Sequence, residues 1–213
     1  MNALILCAGD PVLDRSGTYT SREFDALQNH LLNAEIQSET EKKIARSGRR
    51  VLCGEGLPAR MTAEIMLDES EAETEPLLNE IPVVSAEDTA KKYPYPVWMK
   101  KAEAQRKRAD SRQPESRKDV RKRAETLLSK LEESDAGWIL VTYPKFLTEF
   151  LDVLRTKGYI AARSEIGKIR PMEKIVVSHR KDHCGGCSHN CFLSNPGCGV
   201  GKDKAARQAR KQK

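Results

Sequence analysis

Four of the six cysteines crowd together near the end of the chain, which reads His183-Cys184-Gly185-Gly186-Cys187-Ser188-His189-Asn190-Cys191 and runs on to Cys198. Four thiolates so close in sequence can surround a tetrahedral ion, and Gly185 and Gly186 permit the tight turn that would point two sulfurs the same way. The expected ligands are Cys184, Cys187, Cys191 and Cys198, with His183 or His189 as substitutes, and zinc is the expected metal. An iron-sulfur cluster is the rival, since it also takes four thiolates. The plain alternative is a flexible tail with unligated thiols. A closed site with every ligand from protein would organise a segment too small for its own core and would leave no open position for catalysis.

The remaining cysteines, Cys7 and Cys53, close apolar runs at Ala3 to Leu6 and Val51 to Cys53. Further runs at Trp138 to Val141 and Ile175 to Val177 also read as buried strands. A chain of 213 residues suits one ordinary domain with a terminal appendage, here divided into residues 1–180 and a cysteine-rich, basic tail of residues 181–213. Hydrophobic residues make up 38% and charged residues 32%, so part of the chain should lie outside the core. No run approaches the roughly 20 apolar residues that cross a bilayer. The opening Met1 to Leu6 lacks the basic start and the length of a signal sequence, which leads to the expectation of a cytoplasmic protein with no membrane partner.

The net charge of +6 is concentrated between Lys100 and Arg123 and again from Lys202 to Lys213. The second stretch has no apolar face and reads as a solvated tail able to make weak nucleic-acid contact by counterion release. Without an aromatic stacking platform it is not expected to read sequence.

Helices are expected between the strands. One begins near Thr20 or Ser21 with Phe24, Leu27 and Leu31 on its apolar face, and another follows Gly54 and Gly56 with Pro58 in its first turn and Met61, Ile65 and Met66 on its packed side. The acidic stretch Asp68 to Glu75 and the segment Lys91 to Trp98 read as loop. From Ser116 a long amphipathic helix buries Val120, Ala124, Leu127, Leu128 and Leu131, and another carries Phe146, Phe150, Leu151 and Leu154 as far as Gly158. Strands alternating with helices predict an α/β fold, a three-layer α/β/α sandwich around a mainly parallel sheet.

The order of these elements resembles the histidine phosphatase superfamily, the phosphoglycerate mutase-like fold. Leu4-Ile5-Leu6-Cys7-Ala8-Gly9-Asp10 is similar to the family's first strand, which ends in Arg-His-Gly-Glu. Tyr19-Thr20-Ser21-Arg22 and Pro58-Ala59-Arg60-Met61-Thr62-Ala63-Glu64 resemble its first two helix starts. Pro114-Glu115-Ser116 resembles the Gly-Glu-Ser start of the helix before the strand ending in Val-Ser-His-Gly, which here reads Ile139-Leu140-Val141-Thr142-Tyr143-Pro144.

The resemblance implies phosphoryl transfer through a phosphohistidine, with arginines and a second histidine holding the oxygens. At those positions this chain has Cys7 for an arginine, Ala8 for the nucleophile, Pro58 for an arginine and Tyr143 for the second histidine. A methyl group has no lone pair with which to attack phosphorus. Arg60, two residues beyond Pro58, is the candidate for residual anion binding, although an arginine on a helix is more often a solvated surface residue. His179, in Val177-Ser178-His179-Arg180, imitates the second histidine motif, but no amphipathic helix follows it, and it reads as part of the tail.

Three functions follow. The first is a catalytically inactive histidine-phosphatase-like protein acting as a binding or regulatory module for a protein or phosphorylated ligand, with the metal-binding cysteine cluster appended. The second is a phosphoester hydrolase with relocated catalytic residues, and the third a metal-dependent RNA or protein contact made by the tail.

Overall fold

Alternation of side chains along the first apolar run decides the layering of the molecule. In the computed structural model, which describes residues 2–37, 43–67, 71–134, 137–163, 168–185 and 191–211, the run is strand β1 (Asn2–Cys7). Ala3, Ile5 and Cys7 project into one buried cluster and Leu4, Leu6 and Ala8 into another. A strand buried on both faces must lie inside a sheet covered by helices on each side.

A short β2 (Thr18–Tyr19) precedes α1 (Ser21–Leu31). β3 (Arg50–Cys53) leads into α2 (Leu57–Met66), followed by a two-residue β4 (Glu73–Thr74). After β5 (Tyr93–Pro94) come α3 (Tyr95–Lys107) and α4 (Arg117–Glu132), then β6 (Trp138–Thr142) and α5 (Pro144–Thr156). β7 (Tyr159–Arg163), β8 (Lys174–His179) and α6 (Gly199–Lys211) complete the order. The sheet runs β4-β3-β6-β1-β8-β7. The pairs β4 with β3, β3 with β6 and β6 with β1 are parallel, while β8 runs antiparallel to both β1 and β7. The expected α/β sandwich is therefore present, with a mixed central sheet.

α4 and α5 cover one face. Val120, Ala124, Leu127, Leu128 and Leu131 are all buried, as their helical spacing predicts, and they pack with Phe146, Phe150 and Leu154 against β1 and β6. α2 covers the other face through Ala59, Ala63 and Met66. Its buried side also includes Pro58 and Thr62, whereas Met61 and Ile65 are half-buried, so small residues rather than the larger apolar ones set the contact. A third cluster joins α1 to α3: the rings of Phe24 and Trp98 stack at 5.5 Å, and Trp98 Nε1 donates to the Tyr19 carbonyl at 2.8 Å.

Several local readings change. The segment read as loop to Trp98 turns into α3 at Tyr95, with Pro96 tolerated in the first turn. The residues beyond Gly201, read as a solvated tail to which no helix was assigned, continue a helix that begins at Gly199. His179 belongs to β8, where its ring meets the Tyr159 ring edge-on at 4.9 Å. Among the described residues no helix is long and apolar enough to cross a membrane.

Two capping boxes fix helix starts: Thr20 with Glu23 on α1 and Ser116 with Asp119 on α4. The Thr20 backbone amide, followed by its hydroxyl, holds Glu23 below its ordinary 4.5. The Ser116 hydroxyl, followed by its amide, holds Asp119 below its ordinary 3.8. A carboxylate depressed in the folded state stabilises above its unfolded value and loses that contribution as pH falls through the folded one. The melting-temperature deficit of a Glu23→Ala/Asp119→Ala variant is therefore expected to be full near neutrality and to shrink below about pH 4, as followed by circular dichroism.

Candidate functional site

The parallel strands β1, β3 and β6 deliver their carboxyl ends to one side of the sheet, where open α/β sheets carry their sites. A cleft of about 980 Å³ lies there, bounded by Gly9 and Asp10 after β1, Glu55 and Gly56 after β3, Tyr143 after β6, and the segment from Pro76 to Val84. Ala8 is buried and clusters with Ala59 and Tyr143. The Gly9 amide donates to Thr62 Oγ1 at 2.8 Å, and that hydroxyl donates to the Pro58 carbonyl at 2.6 Å. Ala8, Pro58 and Tyr143 thus converge at the mouths of neighbouring elements. Cys7 does not join them, because strand alternation turns it into the cluster beneath α4 and α5. Arg60 is exposed and is not among the residues bounding the cleft.

A helix start leaves backbone amides unpaired, and two helix starts face this region. At α2, the Leu57 amide donates to the Leu32 carbonyl at 2.9 Å, and Pro58 has no amide hydrogen. The Tyr143 ring lies directly against the turn between β3 and α2. A Cβ on Gly56 would stand 2.2 Å from Tyr143 Oη and 2.9 Å from the Leu32 carbonyl oxygen, and one on Gly54 would stand 2.8 Å from Tyr143 Cε2. Both glycines are needed for this approach. Tyr143 is 5% exposed, and its oxygen meets no partner at full hydrogen-bonding geometry. Burial pushes its phenol well above the ordinary value; the Ala59 and Gly56 amides oppose the rise without cancelling it. The group stays a neutral hydroxyl.

At α5, the Lys145 and Phe146 amides donate to the Glu80 carboxylate at 3.4 and 3.1 Å, and Ile81 adds a third amide at 2.9 Å. A carboxylate there satisfies the unpaired amides and complements the helix dipole. Glu80 was not signalled by any motif; Pro144 at the head of a helix with no polar cap was the available hint. Two other cleft charges are similarly engaged. Arg123 donates to the Leu77 and Asn79 carbonyls and pairs with Glu115 at 2.8 Å, and Arg15 pairs with Asp10 at 2.9 Å. Asp10, Glu55, Glu80 and Glu115 face Arg15, Arg123 and Lys145, so the cleft carries no excess of positive charge.

The metal expected in the tail is not sustained. Among the described residues, no group of three or more His, Cys, Asp or Glu side chains could hold an ion. Cys184 is buried, and its amide donates to the Cys191 carbonyl. Cys198 Sγ accepts the Gly201 amide at 3.4 Å in the first turn of α6, and His183 Nε2 lies 2.7 Å from the Ser178 hydroxyl. The Lys204 ammonium donates to the Cys184 carbonyl at 2.6 Å. Cys187 and His189 lie outside the described residues. Zinc and the iron-sulfur cluster at Cys184, Cys187, Cys191 and Cys198 are therefore withdrawn. With them go the composite of an inactive binding or regulatory module with a metal-binding cluster and the metal-dependent tail contact. The relocated phosphoester hydrolase finds no support either, since what stands is the fold.

Residues 42–158 match the histidine phosphatase superfamily (branch 1), more than half of the chain, and the chain belongs to that superfamily. Among solved structures, phosphoglycerate mutase from Thermus thermophilus is similar at 19% identity and a TM-score of 0.47, over 83% of this chain and 92% of that one. A histidine-to-alanine mutant of phosphoserine phosphatase from Entamoeba histolytica, in complex with phosphoserine, is similar at 11% identity and a TM-score of 0.45, over 73% of this chain and 80% of that one. No protein with a curated description matches.

Proposed function

We propose that this chain is a superfamily member without phosphohistidine chemistry, whose cleft holds a small ligand non-covalently. One observation carries the reading: the α5 start beside the cleft is already occupied by the Glu80 carboxylate, and at the α2 start the Leu57 amide is taken by the Leu32 carbonyl, Pro58 has no amide hydrogen and the buried Tyr143 ring lies against the turn. An incoming phosphoryl group would find these amides engaged and a carboxylate of like charge close by. Ala8 supplies no nucleophile, and Cys7, Pro58 and Tyr143 supply no permanent positive charge at the remaining catalytic positions. With acids and bases nearly balanced and Ile81, Val83 and Tyr95 on the walls, the cleft suits an uncharged or zwitterionic, partly apolar molecule. A domain of residues 1–180 with an appendage of residues 181–213, in a cytoplasmic protein, accompanies this reading.

Thermal unfolding during titration with inorganic phosphate tests it. A ligand at about 100 times its Kd stabilises by about 2.7 kcal/mol. The expected result is no saturable rise in melting temperature up to a large excess of phosphate. A saturable rise, abolished by a charge-reversing change at Arg15, would reject the reading.

A further inference from the structure

The central sheet ends in two edges that are built differently, β4 and β7. β4 has two residues, and Arg50 of β3 donates to both oxygens of its Glu73 at 3.0 Å. Brevity and charge are how sheets keep an edge from recruiting another chain. β7 has five residues, Tyr-Ile-Ala-Ala-Arg, with no proline or glycine and no charge before its last position. Among the described residues no strand pairs with its outer side, and Ala161 and Ala162 are exposed with side chains too small to shield the backbone.

Beside this edge runs a groove of about 760 Å³ between α5 and β7, reaching Lys168, Ile169 and Arg180. Leu151, Ile160 and Ile169 give it an apolar floor. Among the described residues, Lys145, Arg155, Lys168 and Arg180 line it with Asp152 as the one acid, and Arg155 already pairs that carboxylate at 2.9 Å. The groove is thus basic among the described residues, unlike the balanced cleft that adjoins it at Pro144 and Lys145.

We propose that the outer side of β7 accepts an extended acidic segment of a partner protein as an added strand. Backbone hydrogen bonds to the edge supply the attachment; alternate side chains of the added strand enter the groove, and Lys145, Lys168 and Arg180 select carboxylates there. A second copy of this chain is the poorer occupant. Its net charge is +6, and pairing the two edges would bring the same bases face to face.

The test uses the full chain and a fluorescein-labelled peptide of about six residues, alternating valine and glutamate, followed by anisotropy at low salt. One control replaces glutamate by lysine; another carries N-methyl groups on the valines, which blocks strand pairing while keeping the charge. The expected result is saturable binding of the acidic peptide, weakened about tenfold or more by N-methylation and by Lys168→Glu/Arg180→Glu, and weakened by salt. Should that double variant melt early, Lys168→Gln/Arg180→Gln is expected to weaken binding in the same direction. Absence of saturable binding, equal binding of the N-methylated peptide, or a dimer in light scattering that protects the β7 amides from exchange would overturn the proposal.

Discussion

Replacing Gly56 by alanine is expected to lower the free energy of unfolding by about 3 kcal/mol, at the upper end of what overpacking costs. The added methyl would lie 2.2 Å from Tyr143 Oη and 2.9 Å from the Leu32 carbonyl oxygen, and the second of these belongs to backbone that cannot swing aside. Tyr143→Phe removes the nearer atom. The same alanine should therefore cost less in the phenylalanine background, with a coupling of about 1 kcal/mol or more from a double-mutant cycle in denaturant. An identical cost in both backgrounds would show that the tyrosine is not seated against this turn. The seating of one aromatic ring, and with it the closure of the α2 start, is what the cycle reads.

The second large effect lies on the opposite face of the sheet. Phe146→Ala is expected to cost about 3–5 kcal/mol, the range for truncating a buried aromatic residue. Phe146 is fully buried, stacks on Phe150 at 5.9 Å and lies beneath the Arg123 guanidinium at 4.3 Å. Arg123 in turn holds the Leu77 and Asn79 carbonyls, so this truncation also loosens the wall of the cleft. Equilibrium unfolding gives the cost, and a loss of under about 1 kcal/mol would place the ring outside the core. Faster amide exchange at Leu78 and Asn79 would trace the secondary effect.

The sheet and its principal helices were legible because their signals are local. Trp138 to Val141 is a continuous apolar run, and Val120 to Leu131 repeats at helical spacing; both became the expected elements with the expected faces. α3 was not legible, because the two prolines and two tyrosines around its start look like loop chemistry, whereas Pro96 in a first turn is compatible with helix and Trp98 finds its partner in the distant Phe24. β7 was hidden by its two alanines, which carry little strand preference, and its direction depends on β8.

The candidate site shows the same division. The positions Ala8, Pro58 and Tyr143 came from the motif resemblance, and the structure brings them to neighbouring ends of β1, α2 and β6. Strand alternation could already have turned Cys7 away, since neighbours on a strand face opposite sides. What fills the site instead was invisible: Glu80 reaches α5 across a separation of 65 or more residues, and Tyr143 depends on two glycines that only a folded turn brings beneath it. The cysteine tail misled because spacing fixes which thiols are near in sequence and leaves their side-chain partners open. Cys198 caps a helix, and a lysine occupies the neighbourhood of Cys184.

We propose that this superfamily member lacks the group that would take a phosphoryl. The most direct test is to incubate the purified full chain with an aryl phosphate and follow both phenol release and the intact mass of the polypeptide. The prediction is no release above buffer and no mass increase of one phosphoryl group, at acid or neutral pH. Turnover that survives repurification, or an acid-labile phosphoryl adduct on the chain, would contradict it.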